Sequence, residues 1–145
     1  MGDLVSFDRF PRSSAPAAVA LVAHDAKKDD LLQLVRSHKR IFQRFRLLAT
    51  GTTGRLLVQQ TGLPVDLAAT GPEGGDLQIG SRIVEGRVDA VIFLRDPLTA
   101  HPHEPDIQAL LKVCDIHRIP LATNLASAEI LLHFLAEAEQ PAEAP

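Results

Sequence analysis

Apolar positions along this chain follow two periods in turn, and the alternation predicts strands separated by helices. A short continuous apolar run such as Ala18–Ala23 is typical of a strand buried on both faces. After Asp25, Leu31 and Leu34 begin a series of apolar residues three and four apart, which predicts an amphipathic helix as far as Phe45. The predicted strands are residues 18–23, 45–49, 65–69, 90–94 and 119–122. Helical spacing recurs through residue 60, over 77–84, from about 106 to 116, and over 126–135.

This order of elements predicts a single doubly wound α/β domain, with a mainly parallel five-stranded sheet and helices on both faces. The 145 residues, 46% of them hydrophobic, suffice for one well-buried core and are too few for two ordinary domains. We predict that this domain spans residues 18–135. Residues 1–17 mix Ser, Pro, Ala and charge without a period, which predicts a disordered leader, and residues 136–145, rich in Ala, Glu and Pro, predict a flexible tail.

The composition narrows the possible partners and the compartment. A net charge of −3, from 15 basic and 18 acidic residues, argues against a broadly basic nucleic-acid surface, and the absence of Trp and Tyr removes common base-stacking platforms. No apolar run approaches the roughly 20 residues of a membrane span, and the first residues lack the pattern of a secretion signal. Cys114 is the single cysteine and cannot form an internal disulfide. We therefore expect a cytoplasmic protein that binds neither nucleic acid nor a membrane.

A loop of Thr and Gly connects an apolar strand end to a helix start within residues 47–57. Gly51 and Gly54 permit a tight turn, and Thr50, Thr52 and Thr53 place three hydroxyls beside the unpaired N–H groups of the helix start. Helix starts of this kind attract anions. Because Thr and Gly also form ordinary caps and turns, the loop alone does not distinguish an anion site from a plain strand-to-helix connection.

The polar residues that follow the predicted strands meet at one edge of the sheet, where ligands of doubly wound folds bind. Lys27 or Lys28, one turn into the first helix, can supply countercharge for a phosphate group there. The chain has neither the phosphate loop of nucleotide-binding proteins nor a dinucleotide fingerprint, so a small phosphorylated molecule is the expected ligand. The segments at this edge are His24-Asp25, 50–53, 70–76, 96–106 and Thr123-Asn124.

Several of these polar residues also have simpler explanations. Caps or turns would account for Asp25, Asp96 and Asp106, each taken singly. Asp76, Asp96 and Asp106, with His24 and His103, are nevertheless candidates for general acids and bases. The pair His101-x-His103 lacks a third clear ligand at compact spacing, so we do not expect it to bind a metal ion.

Five motifs, taken in order, closely resemble those of the methylglyoxal synthase family over about residues 19–131. The related regulatory domain of carbamoyl phosphate synthetase shares the fold and the Thr loop but not the catalytic series. The motifs are Val22-Ala23-His24-Asp25, Ala49-Thr50-Gly51-Thr52-Thr53-Gly54, Gly71-Pro72-x-Gly74-Gly75-Asp76, Asp96-Pro97-Leu98 and Pro102-His103-Glu104-Pro105-Asp106. The resemblance implies conversion of dihydroxyacetone phosphate to methylglyoxal and inorganic phosphate without cofactor or metal, in a homo-oligomer that is usually a hexamer, with inorganic phosphate as an inhibitor.

The resemblance also implies residue roles. Asp76 would be the carboxylate base, and His24 and His103 would donate to the enediolate oxygens. Asp106 would orient His103 or assist proton transfer, and Asp25 and Asp96 would support this network. The residues implied in binding substrate or phosphate are His24, Lys28, Thr50, Thr52, Thr53, Thr70, Gly71 and His103. Thr70 stands where many relatives have Ser, and the tail lacks an Arg that longer relatives use at a phosphate site, which concerns communication between subunits.

Two rival functions remain open from the residues alone. A binding module that senses a phosphorylated metabolite needs the phosphate-binding loop but gains nothing from a carboxylate base and acids at the same edge. A metal-dependent lyase would use the histidines, and it lacks a compact ligand set. Asp76, His103 and Asp106 together therefore favour catalysis.

Overall fold

The computed structural model describes residues 16–139 and contains a sheet of five strands. The strands are β1 (Ala18–Ala23), β2 (Arg46–Ala49), β3 (Asp66–Leu67), β4 (Ala90–Leu94) and β5 (Leu121–Ala122). The helices are α1 (Lys28–Ser37), α2 (Lys39–Phe42), α3 (Gly51–Thr61), α4 (Gly75–Val84), α5 (Glu104–Ile116) and α6 (Leu125–Glu139). Two single-turn 3-10 helices, Asp25–Lys27 and Gly71–Glu73, follow β1 and precede α4.

The sheet confirms the predicted doubly wound α/β fold. Its order is β3-β2-β1-β4-β5, and all four neighbouring pairs are parallel. The central strand β1 pairs with β2 through Leu21 and Ala49, and with β4 through Leu21 and Ile92. The chain moves outward from β1 to β3 and then returns to the other side of β1, so the strand order reverses between β1 and β4. A ligand site is expected beyond the carboxyl ends of these two strands.

Both faces of the sheet are covered because its central strands are apolar on both sides. Leu21 and Ile92 belong to a core formed with α1, α3 and α6, while Val22 and Phe93 belong to a second core formed with α4 and α5. Alternate residues of a strand point to opposite faces, so one continuous apolar run supplies both cores. Such two-sided burial fixes the strand ends in place, and the site is built on those ends.

The first predicted helix is in fact two helices, and this part of the prediction was wrong. α1 ends at Ser37, His38 leaves the helical conformation with φ −121° and ψ 31°, and α2 occupies only Lys39–Phe42. The Phe45 that the spacing assigned to the helix packs edge-on against Phe42 in the core, with ring centroids 6.1 Å apart. The residue after Phe45, Arg46, begins β2, because its N–H donates to the Ala17 carbonyl beside β1.

The edge strands and several helix ends also differ from the predicted bounds. β3 and β5 each contain two residues, rather than 65–69 and 119–122, because each pairs with a neighbour on one side only. α5 begins at Glu104 with Pro105 in its first turn, where the missing N–H of proline is tolerated. α6 continues to Glu139, so residues 136–139 are helical rather than part of a flexible tail. Residues 1–15 of the predicted leader and 140–145 of the predicted tail lie outside the described residues.

Within residues 16–139, no helix is both long and apolar enough to cross a membrane.

Candidate active site

A cleft of about 640 Å³ opens at the carboxyl edge of the sheet, where the strand order reverses. His24 follows β1, Thr50 follows β2, and Asp96 lies two residues beyond β4, so the three central strands position the walls of the cleft. The predicted site residues that line it are His24, Lys28, Thr50, Thr52, Thr53, Thr70, Gly71, Asp76, Asp96 and His103. Asp106 is the one predicted site residue that is absent from the walls.

The start of α3 forms one end of the cleft. Thr50 is extended, with φ −64° and ψ 152°, and its side chain makes no capping hydrogen bond to the helix. Thr53 is buried, and its hydroxyl has no hydrogen-bond partner among the described residues, whereas Thr52 is exposed. A buried hydroxyl without a partner is uncommon, because it loses its hydrogen bonds to water. The free hydroxyl and the positive end of the helix together fit a bound anion.

Lys28 lines this cleft and brings a positive charge to it, so it is the better placed of the two lysines proposed for countercharge. Its ammonium donates to the Ala23 carbonyl at 3.0 Å and to Asp25 Oδ1 at 2.8 Å. The ammonium has three N–H groups, so one remains for a ligand. The hydrogen bond from Lys28 lowers the pKa of the exposed Asp25 carboxyl. Lys27 lines a separate, smaller cleft with Arg95.

The connection from β3 to α4 brings the backbone very close to the catalytic candidates. The Thr70 hydroxyl donates to Glu73 Oε1 at 2.6 Å, so its hydrogen is already engaged. A Cβ on Gly71 would lie 3.0 Å from His103 Nε2, and a Cβ on Gly75 would overlap the Ala69 carbonyl oxygen. Gly74, with φ 99°, adopts a left-handed conformation that allows α4 to begin at the next residue. These glycines let the start of α4 approach the cleft.

Asp76 is the most unusual group in the cleft. It lies in the first turn of α4, its side chain is 0% exposed, and neither carboxyl oxygen has a hydrogen-bond partner among the described residues. His103 Nε2 is 3.6 Å from Asp76 Oδ2, which is too long for a hydrogen bond but close enough for attraction. Burial raises the pKa of Asp76, the attraction of His103 opposes this, and the nearby Asp106 charge raises the pKa further. A carboxylate with a raised pKa is a stronger base than an exposed one.

His24 is held in one tautomer by the backbone. Its Nδ1 accepts the Asp96 N–H at 2.8 Å, so the ring proton must reside on Nε2. Nε2 is buried and has no partner among the described residues. Burial, followed by the charges of His101 and His103, lowers the pKa of His24 to about 4. At neutral pH the ring is therefore a neutral N–H donor inside the cleft.

The three remaining carboxylate and imidazole candidates differ in what they contact. His103 precedes α5, and its Nδ1 is buried without a partner among residues 16–139. The Asp96 carboxylate hydrogen-bonds to the Thr99 side chain and accepts the Leu98 N–H at 3.1 Å, and these bonds lower the pKa of Asp96. The carboxylate therefore holds a turn, and Asp96 contacts His24 through its backbone N–H. Asp106 is half-buried in the first turn of α5 and acts on Asp76 through its charge.

One important site residue was missed from the sequence. His101 was considered only as half of a His-x-His metal site, yet its ring stacks on that of His24 with centroids 3.7 Å apart and planes 23° apart. No group of three or more His, Cys, Asp or Glu side chains in the described part of the chain could hold a metal ion. The His-x-His spacing after the Asp96-Pro97 turn was the available signal, because it returns two rings to the strand edge.

The fold and the cleft define a class of protein. A helix start that could accommodate an anion and a buried carboxylate beside two imidazoles share one cleft in a doubly wound α/β domain, which is the arrangement of an enzyme that performs acid–base chemistry on a small anionic substrate.

Comparison with known proteins gives the family. Residues 30–123 match the model of the MGS-like domain. A methylglyoxal synthase of Moorella thermoacetica is 57% identical over 117 residues, which cover 81% of this chain and 91% of that protein. The Ralstonia nicotianae methylglyoxal synthase is 58% identical over 114 residues, covering 79% of this chain and 84% of that protein. The crystal structure of the Elizabethkingia anophelis methylglyoxal synthase has a TM-score of 0.79 and 40% identity, and the match covers 85% of this chain and 82% of that chain.

This chain belongs to the methylglyoxal synthase family, whose members are lyases.

Proposed function

We propose that this protein is a methylglyoxal synthase that converts dihydroxyacetone phosphate to methylglyoxal and inorganic phosphate. The observation that carries the proposal is Asp76, a fully buried carboxylate with no hydrogen-bond partner among residues 16–139. It lies 3.6 Å from His103 in the cleft that also contains the start of α3. The similarity to methylglyoxal synthases supports it.

The first step uses Asp76 as the base. Its carboxylate takes a proton from the hydroxymethyl carbon next to the substrate ketone, and the electrons of the broken C–H bond form an enediolate. The negative charge develops on the former ketone oxygen. The neutral Nε2–H of His24 and the ring of His103 donate hydrogen bonds to the enediolate oxygens. The Asp106 charge favours the acceptance of a proton by Asp76, because it raises the pKa of that carboxyl.

The second step is elimination of phosphate. The enediolate electrons form a double bond to the phosphate-bearing carbon, and the C–O bond to the phosphate breaks. The hydroxyl proton on the former hydroxymethyl carbon passes to the departing phosphate, and that oxygen becomes the aldehyde oxygen. The resulting enolate takes up, at the former phosphate-bearing carbon, the proton that Asp76 abstracted, which gives methylglyoxal and restores the Asp76 carboxylate. The atoms balance without an added water or oxidant.

The other end of the cleft binds the phosphate group throughout. Lys28 and the hydroxyls of Thr50, Thr52 and Thr53 bind it at the start of α3, and Thr70 and Gly71 line the same cleft. The charge on the leaving oxygen grows as its bond to carbon breaks, so these contacts strengthen in the transition state. Inorganic phosphate fits the same contacts and should inhibit by competing with the substrate.

An enzyme explains the cleft better than a metabolite sensor does. Burying a carboxylate without hydrogen-bonding partners destabilises the folded protein, and a sensor would gain nothing in return. In the described part of the chain no cluster of side chains is arranged to hold a metal ion, and we propose a reaction that uses neither metal nor cofactor. Activity that a chelator abolished and a single added metal restored would contradict this part of the proposal.

The direct test is to incubate the purified protein with dihydroxyacetone phosphate and to measure methylglyoxal and phosphate together. We expect equal amounts of both, well above the spontaneous elimination that occurs without protein. The Asp76→Asn variant is the matched protein control. Phosphate without methylglyoxal would indicate a phosphatase, while binding of the substrate without either product would favour the sensor.

We further propose that the protein forms a homo-oligomer, with a hexamer favoured by the resemblance. The exposed apolar side chains of α4 and α5, which include Leu77, Val84 and Ile116, support a contact between copies. Light scattering over a range of protein concentrations tests this.

A cytoplasmic location is also proposed. The buried free thiol of Cys114 suits a reducing compartment, and cell fractionation tests the location.

A further inference from the structure

His101 and His24 form a stacked pair at the reversal point of the sheet. The two ring centroids are 3.7 Å apart and the ring planes differ by 23°. A second ring, that of Phe93, meets His24 edge-on with centroids 5.1 Å apart. His24 therefore packs against a stacked ring and an edge-on ring, and close packing against both restricts its rotation.

A single residue, Asp96, bonds to both imidazoles through its backbone. Its N–H donates to His24 Nδ1 at 2.8 Å, and its carbonyl oxygen lies 3.3 Å from His101 Nε2, which can donate to it. The bond from the Asp96 N–H thus favours one tautomer of His24, and the bond to the Asp96 carbonyl fixes the position of the His101 ring against His24. Neither bond uses the Nε2 of His24, which is left for the cleft.

We propose that His101 is a positioning residue that holds the His24 ring as the neutral tautomer with its Nε2–H directed into the cleft. The catalytic part of this inference rests on the proposed function, in which that N–H stabilises the enediolate. The positioning part rests on the geometry of the two rings and of Asp96 alone.

The charges around His24 act in the same direction as the stacking. The pKa of His24 is lowered by burial and then by His101, His103 and Arg95, and only Asp96 opposes this. Protonating Nδ1 would also place a ring N–H against the Asp96 N–H. The ionisable groups that face His24, from the end of β4, the loop after it, the start of α5 and its own segment, are Arg95, Asp96, His101, His103, Glu104 and Asp25.

Two substitutions separate the contributions of His101. His101→Phe keeps a stacked ring while removing the charge and the bond to Asp96, and His101→Ala removes all three. Nitrogen NMR of ring-labelled protein without substrate reports the tautomer and the titration of His24 directly. We expect the parent to show the Nε2–H tautomer, the Phe variant to keep that tautomer with a higher pKa of His24, and the Ala variant to mix tautomers with the highest pKa.

Kinetics with dihydroxyacetone phosphate provide the second readout. Misplacing a reacting group by about 1 Å can reduce a rate by about 100-fold, so kcat of His101→Ala should fall by about 10- to 100-fold, with a smaller change in KM. When the pH is lowered, the activity of this variant should be lost at a higher pH than the activity of the parent. His133→Ala, which removes an exposed imidazole from α6, is the matched control and should match the parent in both readouts.

An unchanged tautomer and titration of His24 in His101→Ala would overturn the proposal. Unchanged kcat in a variant whose His24 has shifted would overturn the catalytic part. If the parent itself produced no methylglyoxal, the proposed function would fail, and the NMR result would still decide whether His101 positions His24. Melting temperatures of all variants distinguish a local change from loss of the fold.

Discussion

The two ends of the cleft are built on different principles. At the end formed by α3, the polar groups already have partners or contact water. Lys28 donates to Asp25 and to the Ala23 carbonyl, and Thr70 donates to Glu73. Thr52 is exposed to water. At the other end, His24 and Asp76 are buried and present polar atoms without partners among the described residues. In the proposed function, the first end binds an anion whose charge is always present, while the second must gain and lose protons.

This difference has a consequence for stability. Groups that already have partners can exchange them for a ligand with little effect on folding. Buried polar groups without partners destabilise the folded state, and the compensation comes only when substrate binds. Thr53 is the exception at the end formed by α3, since its hydroxyl is buried and has no partner in the part of the chain that the structure describes. Substitutions at the two ends should therefore separate affinity, rate and stability.

The largest effect is expected for Asp76→Asn, which keeps the size of the side chain and removes the base. General-base assistance is typically worth about 100- to 10,000-fold, so kcat should fall by at least that range while substrate binding persists. Hydrogen exchange at the hydroxymethyl carbon measures the step directly. Exchange at the parental rate would rule out Asp76 as the base and direct attention to Asp106.

Asp76→Asn should also raise the melting temperature near neutral pH. Because the folded pKa of Asp76 is raised, its ionisation destabilises the folded protein as the pH rises from the ordinary value of 3.8 through the folded pKa. The gain from the substitution should therefore shrink on acidification. Thermal unfolding of both proteins from acidic to neutral pH checks this, and a difference that is constant with pH would contradict it.

His24→Ala should lower kcat by about 100-fold or more, the usual effect of removing one donor to a developing oxyanion. His24→Gln retains a side-chain N–H and should lose less. In the parent, the pH–rate profile should show no limb from His24 near its ordinary pKa of 6.5, because the folded pKa of His24 is about 4. A limb near 6.5 that disappeared in His24→Gln would contradict the assigned protonation state.

Thr53→Val should raise KM more than it lowers kcat. A hydrogen bond to a charged group is worth roughly 1.5 to 3 kcal/mol, so KM should rise by about 10- to 100-fold, with stability unchanged or improved. Thr61→Val is the matched control on the same helix, because the Thr61 hydroxyl donates to the Leu57 carbonyl at 2.6 Å. That control should lower the melting temperature and leave KM unchanged. The reverse pattern would place the phosphate elsewhere.

The smallest effect is expected for Glu73→Gln. The amide oxygen of Gln can still accept from the Thr70 hydroxyl, but as a neutral and weaker acceptor, so the hydroxyl exchanges to a ligand more easily and a negative charge is removed beside the proposed phosphate contacts. Exposed charge interactions are worth roughly 0.2 to 1 kcal/mol, so KM and the inhibition constant of phosphate should both fall by about fivefold at most. Glu85→Gln, which removes the exposed partner of Arg87, serves as the control. Tighter substrate binding without tighter phosphate binding would argue against a shared site.

Much of the fold followed from local pattern. The apolar runs of β1 and β4 predicted buried strands at Ala18–Ala23 and Ala90–Leu94, and the alternation with helices predicted a parallel sheet. These properties repeat along the chain, so neighbouring residues report them. The helix break at His38 did not follow from local pattern. The helical segment has to end before β2, which begins where the Arg46 N–H donates to the Ala17 carbonyl, and that contact joins segments far apart along the chain.

The sequence by itself also determined which chemical groups gather at one sheet edge, because the polar segments that follow the carboxyl ends of parallel strands all lie at the same edge. Only the tertiary structure decided how each group is used. The Asp96 carboxylate holds a turn while its N–H orients His24, 72 residues away along the chain, and Glu73 engages the Thr70 hydroxyl. The structure also places the His101 ring in a stack on His24, which the His-x-His spacing did not predict. Protonation state and tautomer depend on burial and on partners in three dimensions, and spacing along the chain specifies neither.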